Sequence, residues 1–262
     1  MEDSGGIRSI SRGLAVLALI NRHNSLSIAD IARHTELPYP TVTRIVQTLI
    51  QDGWVEREIA RKTYRPTLKV KALASGYQDS DAIVDAARPH LLRAGHDIIW
   101  PMIISTRVGT MMMVRDSTHV LSPLTLENYP PGYTLPILGS ASGKVFLAFA
   151  PERERNLVLD AVVSQHDDIK INPSVLQLAK EGSLFADIRA QGFAVHGRNK
   201  HTATPGKTSS IAVPVFQGER VVAALTIAFF ASALSVEKAA EQFLNVLQTT
   251  AALIKQSLGE PT

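Results

Sequence analysis

Between Pro38 and Gly53 the apolar residues fall at Val42, Ile45, Val46, Leu49 and Ile50, the i, i+3, i+4, i+7, i+8 spacing of a helix buried along one side. Its other side carries Thr41, Thr43, Arg44, Gln47, Thr48 and Gln51. A plain solvent-facing helix would carry paired Glu and Lys there. Short hydrogen-bonding groups with one cation instead suit base-pair edges, where Arg reads guanine, Gln reads adenine, and Thr offers a hydroxyl and a methyl. Pro40 fits the first turn, where its missing N–H costs nothing, and Gly53 fits a left-handed residue after the last turn.

The flanking pattern extends this picture. Ile10, Leu14, Leu17 and Ala18 predict the core face of a helix that ends around residues 21–24. Ser27 with Asp30 predicts a capped second helix carrying Ile28, Ile31 and Ala32, and "TELPYP" ends it, because residues before proline leave the helical region. "WVEREIARKTYRP" reads as two short strands joined by "IARK", with Arg57, Arg61, Lys62 and Arg65 at the tip. Three helices followed by a basic two-stranded ribbon make a winged helix-turn-helix. Tyr39, Thr41 and Thr43 lie where phosphates are held, and the wing would lie along the backbone or dip into the minor groove. The candidate DNA-binding residues are therefore Tyr39, Thr41, Thr43, Arg44, Gln47, Thr48, Arg61 and Lys62. The competing reading is a solvated face on a helical module that binds protein.

A helical stretch over residues 68–77 follows, and "GYQDS" at 76–80 marks a boundary. The domains read as a winged helix over residues 1–67, a linker helix over 68–80 and a second domain over 81–262. In the second domain, residues 80–87 and 89–96 read as helices. "IIWPMIIST", "GTMMMVRD" and "THVLSPLTL" read as three strands, the first with a bulge or edge position at Pro101. "YPPGYTLP" reads as an irregular loop and "GSASGKVFLAFAPERER" as a loop entering a helix. Two helices at 151–163 and 173–191, strands at 193–198, 209–216 and 221–230, and a helix at 235–258 striped by Phe243, Leu244, Leu247, Ala251 and Ile254 complete the chain. Six strands in meander order with helices around them define an α+β fold.

Charge distribution sharpens the first half of the reading. Of 262 residues, 45% are hydrophobic and 19% charged, with a net charge of +3. Residues 1–77 hold 11 Lys and Arg against 7 Asp and Glu, whereas the remainder holds 16 against 17. The basic excess sits where a polyanion would be met, although a chance fluctuation of a few charges would look the same. Cysteine is absent, which rules out disulfides and thiolate metal sites and fits a reducing cytoplasm. "MEDSGGIRSI" lacks the basic-then-apolar pattern of a signal peptide. The most apolar run, residues 221–234, falls short of the roughly 20 residues a membrane span needs, so no membrane partner is expected.

Catalytic motifs are missing. In "GSASGKV" only three residues separate Gly139 from Gly143 and Val145 follows Lys144, so the phosphate-binding loop pattern fails at both places. The histidines at 90, 96, 119, 166, 196 and 201 lack metal-ligand spacing, and "TSSIA" lacks the glycines of a nucleophile elbow. Neither an enzyme, a metal nor a cofactor is expected.

"SISRGLAVLALINRHNSLSIADIARHTELPYPTVTRIVQTLIQDGWVERE" and "TYRPTLKVKALASGY" resemble the DNA-binding domain of the IclR family of bacterial transcription regulators. "LPILGSASGKVFLAFAPE" and "SSIAVPVFQGERVVAALTIAFF" resemble its other two hallmark regions, so the likeness runs from about Ile7 to Gln256. "IIWPMIIST", "VRDSTH" and "ASGKVFLAFAPE" are similar to the branch containing the activator of 3-(3-hydroxyphenyl)propionate degradation. The resemblance implies a GAF-like effector-binding domain and a homodimer, pairing into tetramers, on a palindromic operator in double-stranded DNA. It further implies an aromatic carboxylic acid as small-molecule effector, and contact with RNA polymerase if the protein activates. A repressor released by its effector is the alternative within the family.

By resemblance the pocket residues fall on Ala141, Ser142, His196, Ser210, Thr226 and Ala228. The residues themselves add Arg198, whose guanidinium matches a carboxylate, His119 for an effector hydroxyl, and the helix start at Ser140–Gly143 for an anion. Trp100 joins them as an apolar wall for an aromatic ring, with Met102, Leu138, Phe146 and Phe149 of the same kind. Each has a plainer reading: Trp100 and Phe146 as core, Arg198 as a solvated charge, Ser142 as a helix cap, His119 as a hydrogen bond within the sheet.

Overall fold

The computed structural model describes residues 7–74, 82–124, 129–164, 172–197 and 207–259. Its contacts divide the chain into two units, Met1–Ser80 and Asp81–Thr262.

In the first unit, α1 (Arg8–His23), α2 (Ile28–Thr35) and α3 (Tyr39–Gln51) pack around Val16, Ile20, Ile31, Val42 and Val46. The Ser27 hydroxyl accepts from Asp30 N–H at 3.2 Å and donates to the Asp30 carboxylate at 2.6 Å, closing the start of α2 as the sequence predicts. Pro40 lies in the first turn of α3 and Gly53 takes φ +74° just beyond its end. The face of α1 differs from expectation. Leu17 is buried, but Ile10 and Leu14 are 55% and 60% exposed, and Val16 and Ile20 take their places inside. Apolar residues occupy most of the circumference of α1, so periodicity alone does not choose a face there.

The wing consists of β1 (Val55–Glu58) and β2 (Thr63–Pro66), antiparallel with Glu58 opposite Thr63. A 3-10 segment over Leu68–Ala74 replaces the start of the expected linker helix, and the rest of that helix, with the boundary at 76–80, lies outside the described residues.

The second unit opens with α4 (Ala82–Gly95), one continuous helix through Pro89 where two were expected. Burial of Ala87 and Leu91 against the sheet's core outweighs the one backbone hydrogen bond proline removes. The sheet consists of β3 (Met102–Val108), β4 (Met111–Ser117) and β5 (Thr134–Pro136). Four helices follow, α5 (Ala141–Phe149), α6 (Glu152–Ser164), α7 (Pro173–Glu181) and α8 (Ser183–Gln191), before β6 (Ala194–His196), β7 (Thr208–Gln217) and β8 (Arg220–Phe230) complete it. The last helix is α9 (Val236–Leu258). The strand order β5-β4-β3-β8-β7-β6, antiparallel throughout, joins two three-stranded meanders along β3 and β8.

Three strand-level expectations are corrected. "THVLSPLTL" is not a strand: His119–Leu121 forms a 3-10 turn, and residues 125 and 126 lie outside the described residues. The third strand of the first meander is Thr134–Pro136, inside the stretch read as a loop, because pairing with Met111–Met113 rather than local propensity defines it. Pro101 precedes β3 instead of interrupting it, and the irregularity falls between Ile104 and Ser105, leaving Arg115 as the extra residue on β4. The helix expected at 173–191 is two, parted by Gly182 at φ +81°.

Strand alternation divides the core. Ile104, Leu225, Ile227 and Phe229 face α4 and α9, whereas Ala212 and Ala224 lie under α5 to α8. At Gly143 a Cβ would fall 1.9 Å from the Ile137 carbonyl oxygen. Only glycine therefore lets the first turn of α5 settle against the chain that leads into it. Among the described residues no helix is long and apolar enough to cross a membrane.

Candidate nucleic-acid interface and ligand cavity

On α3, burial of Val42 and Val46 turns Arg44, Gln47 and Thr48 outward as exposed residues, with Thr41 and Thr43 half-buried and Tyr39 exposed at the helix start. Thr43 Oγ1 donates to Tyr39 O at 2.9 Å and Thr48 Oγ1 to Arg44 O at 3.0 Å. These bonds hold both side chains to the helix while leaving oxygen lone pairs and methyls for a partner. Sequence reasoning missed Arg12 of α1, which shares a groove with Thr41, Arg44 and Thr48. Its signal was the basic residue four after Arg8, on a helix read only for its core.

The wing is fixed by its own electrostatics. Arg65 Nε lies 2.6 Å from Glu56 Oε1 and its Nη1 3.9 Å from Glu58 Oε1, so Arg65 is already engaged. Glu58 also accepts from Ser25 Oγ and, at 2.9 Å, from Thr63 Oγ1. The Ser25 hydroxyl foremost, then Thr63, holds its carboxyl below the usual range. Arg57, Arg61 and Lys62 remain exposed around the turn, with Lys62 at φ 54°.

In the second unit a cavity of about 170 Å³ lies between the start of α5 and the sheet. Ser140 caps α5, its hydroxyl accepting from Gly143 N–H at 3.1 Å, while Ser142 Oγ donates to Ser140 Oγ at 3.2 Å. Ser142 is thus not the cap. Alternation along the strands aims Ile103 and Ser105, Thr208 and Ser210, and Thr226 and Ala228 at the same space, with His196 at its edge. Burial foremost, then the nearby Lys144 charge, pushes the His196 imidazole down to about 4, so it is neutral at physiological pH. Ser105 Oγ and Thr226 Oγ1 are buried with no hydrogen-bond partner among the described residues.

The structure therefore brings Ala141, Ser142, His196, Ser210 and Thr226 to one cavity. Trp100 is elsewhere: it packs edge-on to Phe229 and Phe230 at 6.3 and 6.0 Å, on the sheet face that meets α4 and α9. His119 also lies outside it, in the 3-10 turn beside the Arg88–Asp116 ion pair. Its Nδ1 is buried without a partner among the described residues. Arg198 lies outside the described residues. The aromatic wall comes from Tyr129 and Tyr133, 6.1 Å apart and edge-on, which sequence reasoning missed. Their only signal was two tyrosines bracketing "PPG". A wider groove of about 910 Å³, lined by Arg107, Arg153 and Arg220, is open and two of those guanidinium groups are tied to Glu154, so it encloses nothing.

Comparison with known proteins covers both units. Residues 9–58 match the family model described as the IclR helix-turn-helix domain, and residues 106–256 match that of the bacterial transcriptional regulator IclR C-terminal. The chain is 27% identical over 250 residues to the Pca regulon regulatory protein of Pseudomonas putida, covering 94% of this chain and 82% of that one. It is 26% identical over 270 residues to the DNA-binding transcriptional repressor YiaJ of Escherichia coli, covering 98% and 90%. A crystal structure of an IclR homolog complexed with 4-hydroxybenzoate, from Microbacterium hydrocarbonoxydans, superposes with a TM-score of 0.62 at 22% identity over 95% of this chain and 98% of that chain.

Proposed function

The chain belongs to the IclR family of DNA-binding transcriptional regulators, and from that membership we propose that it switches a catabolic operon in the cytoplasm in response to a small aromatic carboxylic acid. The observation that carries this is the division of α3 into a buried apolar side and an outward side of Arg44, Gln47 and Thr48, the groups that read guanine, adenine and thymine edges. Tyr39, Thr41 and Thr43 hold phosphates at the helix start, and Arg61 and Lys62 lie along the backbone from the wing. Two copies place two recognition helices about 34 Å apart on a palindromic operator. Supporting a homodimer, Ile10 and Leu14 on α1 and Ile7 just before it form an exposed apolar stripe, at spacing that a second helix would cover; pairs of dimers then make the tetramer.

The effector occupies the cavity between α5 and the sheet. Its size supports a single ring, since a cavity of about 150 Å³ takes one benzene. Ser142, His196, Ser210 and Thr226 meet the polar end and Tyr129 and Tyr133 the ring. The relative complexed with 4-hydroxybenzoate supports that ligand class, and the Pca regulon regulatory protein among its relatives supports control of a regulon. Effector binding favours one arrangement of the effector domains and so resets operator affinity, with activation through contact to RNA polymerase. The second reading is a repressor that its effector releases, supported by the repressor among its relatives. Transcription from the chain's own promoter in a purified system, with and without effector, tests both: a rise above the protein-free level marks an activator, and a fall relieved by effector marks a repressor.

A further inference from the structure

Lys144 is 6% exposed in the middle of α5, and neither DNA reading nor ligand contact uses it. Its ammonium donates to the Val195 carbonyl. Among the described residues no anion pairs with it, and Glu154 of α6 is taken by Arg107 and Arg220. His196 stands on β6, Arg189 of α8 donates to Ala148 O at 3.0 Å, Arg155 of α6 donates to Ala150 O at 3.3 Å, and Arg107 of β3 lies over the Phe146 ring. Burial pushes the Lys144 amine down to about 8, and a buried charge without a counter-ion is costly to keep.

Its location gives that charge a purpose. Lys144 leaves α5 two residues after Ser142 and ends on the carbonyl preceding His196, so it runs behind a wall of which Ser142 and His196 form the inner surface. On that inner side, Ser105 Oγ and Thr226 Oγ1 are donors without an acceptor, at 1% and 6% residue exposure. We propose that Lys144 is the counter-charge that makes the cavity select a monoanionic ligand over its neutral isostere, acting through the low-dielectric wall rather than by contact. The hydroxyls of Ser105 and Thr226 then complete the anion's hydrogen bonds. This rests on the cavity being the effector site.

The test is calorimetric titration of the full-length protein with benzoate and with benzamide, which share a shape and differ in charge. At pH 7 the wild type is expected to favour benzoate by about tenfold. Lys144→Met is expected to erase that preference and leave benzamide affinity in place. The wild type gives an independent readout should the variant fail to fold. Raising the pH from about 7 to about 9.5 deprotonates the amine, so the preference collapses while benzamide binding holds. A preference that survives either change overturns the role of Lys144 and leaves the effector site standing. Failure of the wild type to bind either compound overturns the effector site itself, and the role of Lys144 with it.

Discussion

Leu26 and Tyr64 bond to each other twice: Leu26 N–H donates to Tyr64 O at 3.1 Å and Tyr64 N–H to Leu26 O at 2.8 Å. This bridge ties the second wing strand to the turn between α1 and α2. The Trp54 N–H bond to Leu49 O at 2.8 Å, just before β1, ties the first strand to the recognition helix, so the wing is held to the helices at both of its strands. The residues proposed to read bases and those proposed to hold phosphates therefore sit on one connected framework, and their roles can be tested separately.

Arg44→Ala is expected to weaken operator binding by about 1–3 kcal/mol and relax preference at one base pair per half-site. Footprinting against a set of single-base operator variants checks this. Undiminished affinity and preference would remove Arg44 from the reading surface.

Removing Arg61 and Lys62 should act differently. The double alanine variant weakens binding to all sequences alike, and the slope of log affinity against log salt falls by about 0.9 for each phosphate that is no longer neutralised. A salt titration with an unchanged slope would mean that the wing does not touch the backbone.

Replacing Ile10 and Leu14 with glutamate tests the dimer. Both are exposed in the single chain, so the winged helix keeps its fold, whereas a covered apolar stripe would be broken. Sedimentation should show a shift toward smaller species together with weaker operator binding, and an unchanged mass would place the interface elsewhere.

Thr226→Val should move two observables in opposite directions. Its hydroxyl is buried and unpartnered among the described residues, so removing it leaves the empty protein as stable or about 1–3 kcal/mol more stable. Ligand binding weakens, because the donor the ligand would meet is gone. Paired thermal melts with and without benzoate read both, and a variant that loses stability while binding normally would assign the hydroxyl to the fold.

His196 gives a pH signature. Burial foremost, then the Lys144 charge, lowers its folded pKa to about 4, so between about 6.5 and 4 the unfolded chain binds the proton and the folded chain does not. Stability of the second unit should thus fall as pH drops through that window, by up to about 3 kcal/mol. In His196→Gln that part of the slope disappears, as urea unfolding at several pH values would show. An identical slope would mean that the ring titrates alike in both states.

What could be read from the sequence follows from how locally each feature is determined. The Ser27 cap, Pro40, Gly53 and the α3 stripe are set within one or two turns, and all are found in place. The inward face of α1 was hidden because apolar residues surround that helix, and the exposed Ile10 and Leu14 become informative only once Val16 and Ile20 are seen inside. Thr134–Pro136 is a strand only because Met111–Met113 pairs with it. In the cavity, Ala141, Ser142, His196, Ser210 and Thr226 were reached through family resemblance. Ser105, Tyr129 and Tyr133 were not, since strand register and a loop's path bring them there. Trp100 was misplaced because strand parity decides which sheet face an aromatic meets, and Pro101 obscured where the strand begins.

The most direct measurement is fluorescence anisotropy of the purified protein on its own promoter fragment and on an unrelated duplex of equal length, at moderate salt. Specific reading by α3 predicts binding to the promoter tighter by about 10³-fold or more. Equal affinity for both duplexes would contradict it, leaving the outward face of Arg44, Gln47 and Thr48 without a sequence to read.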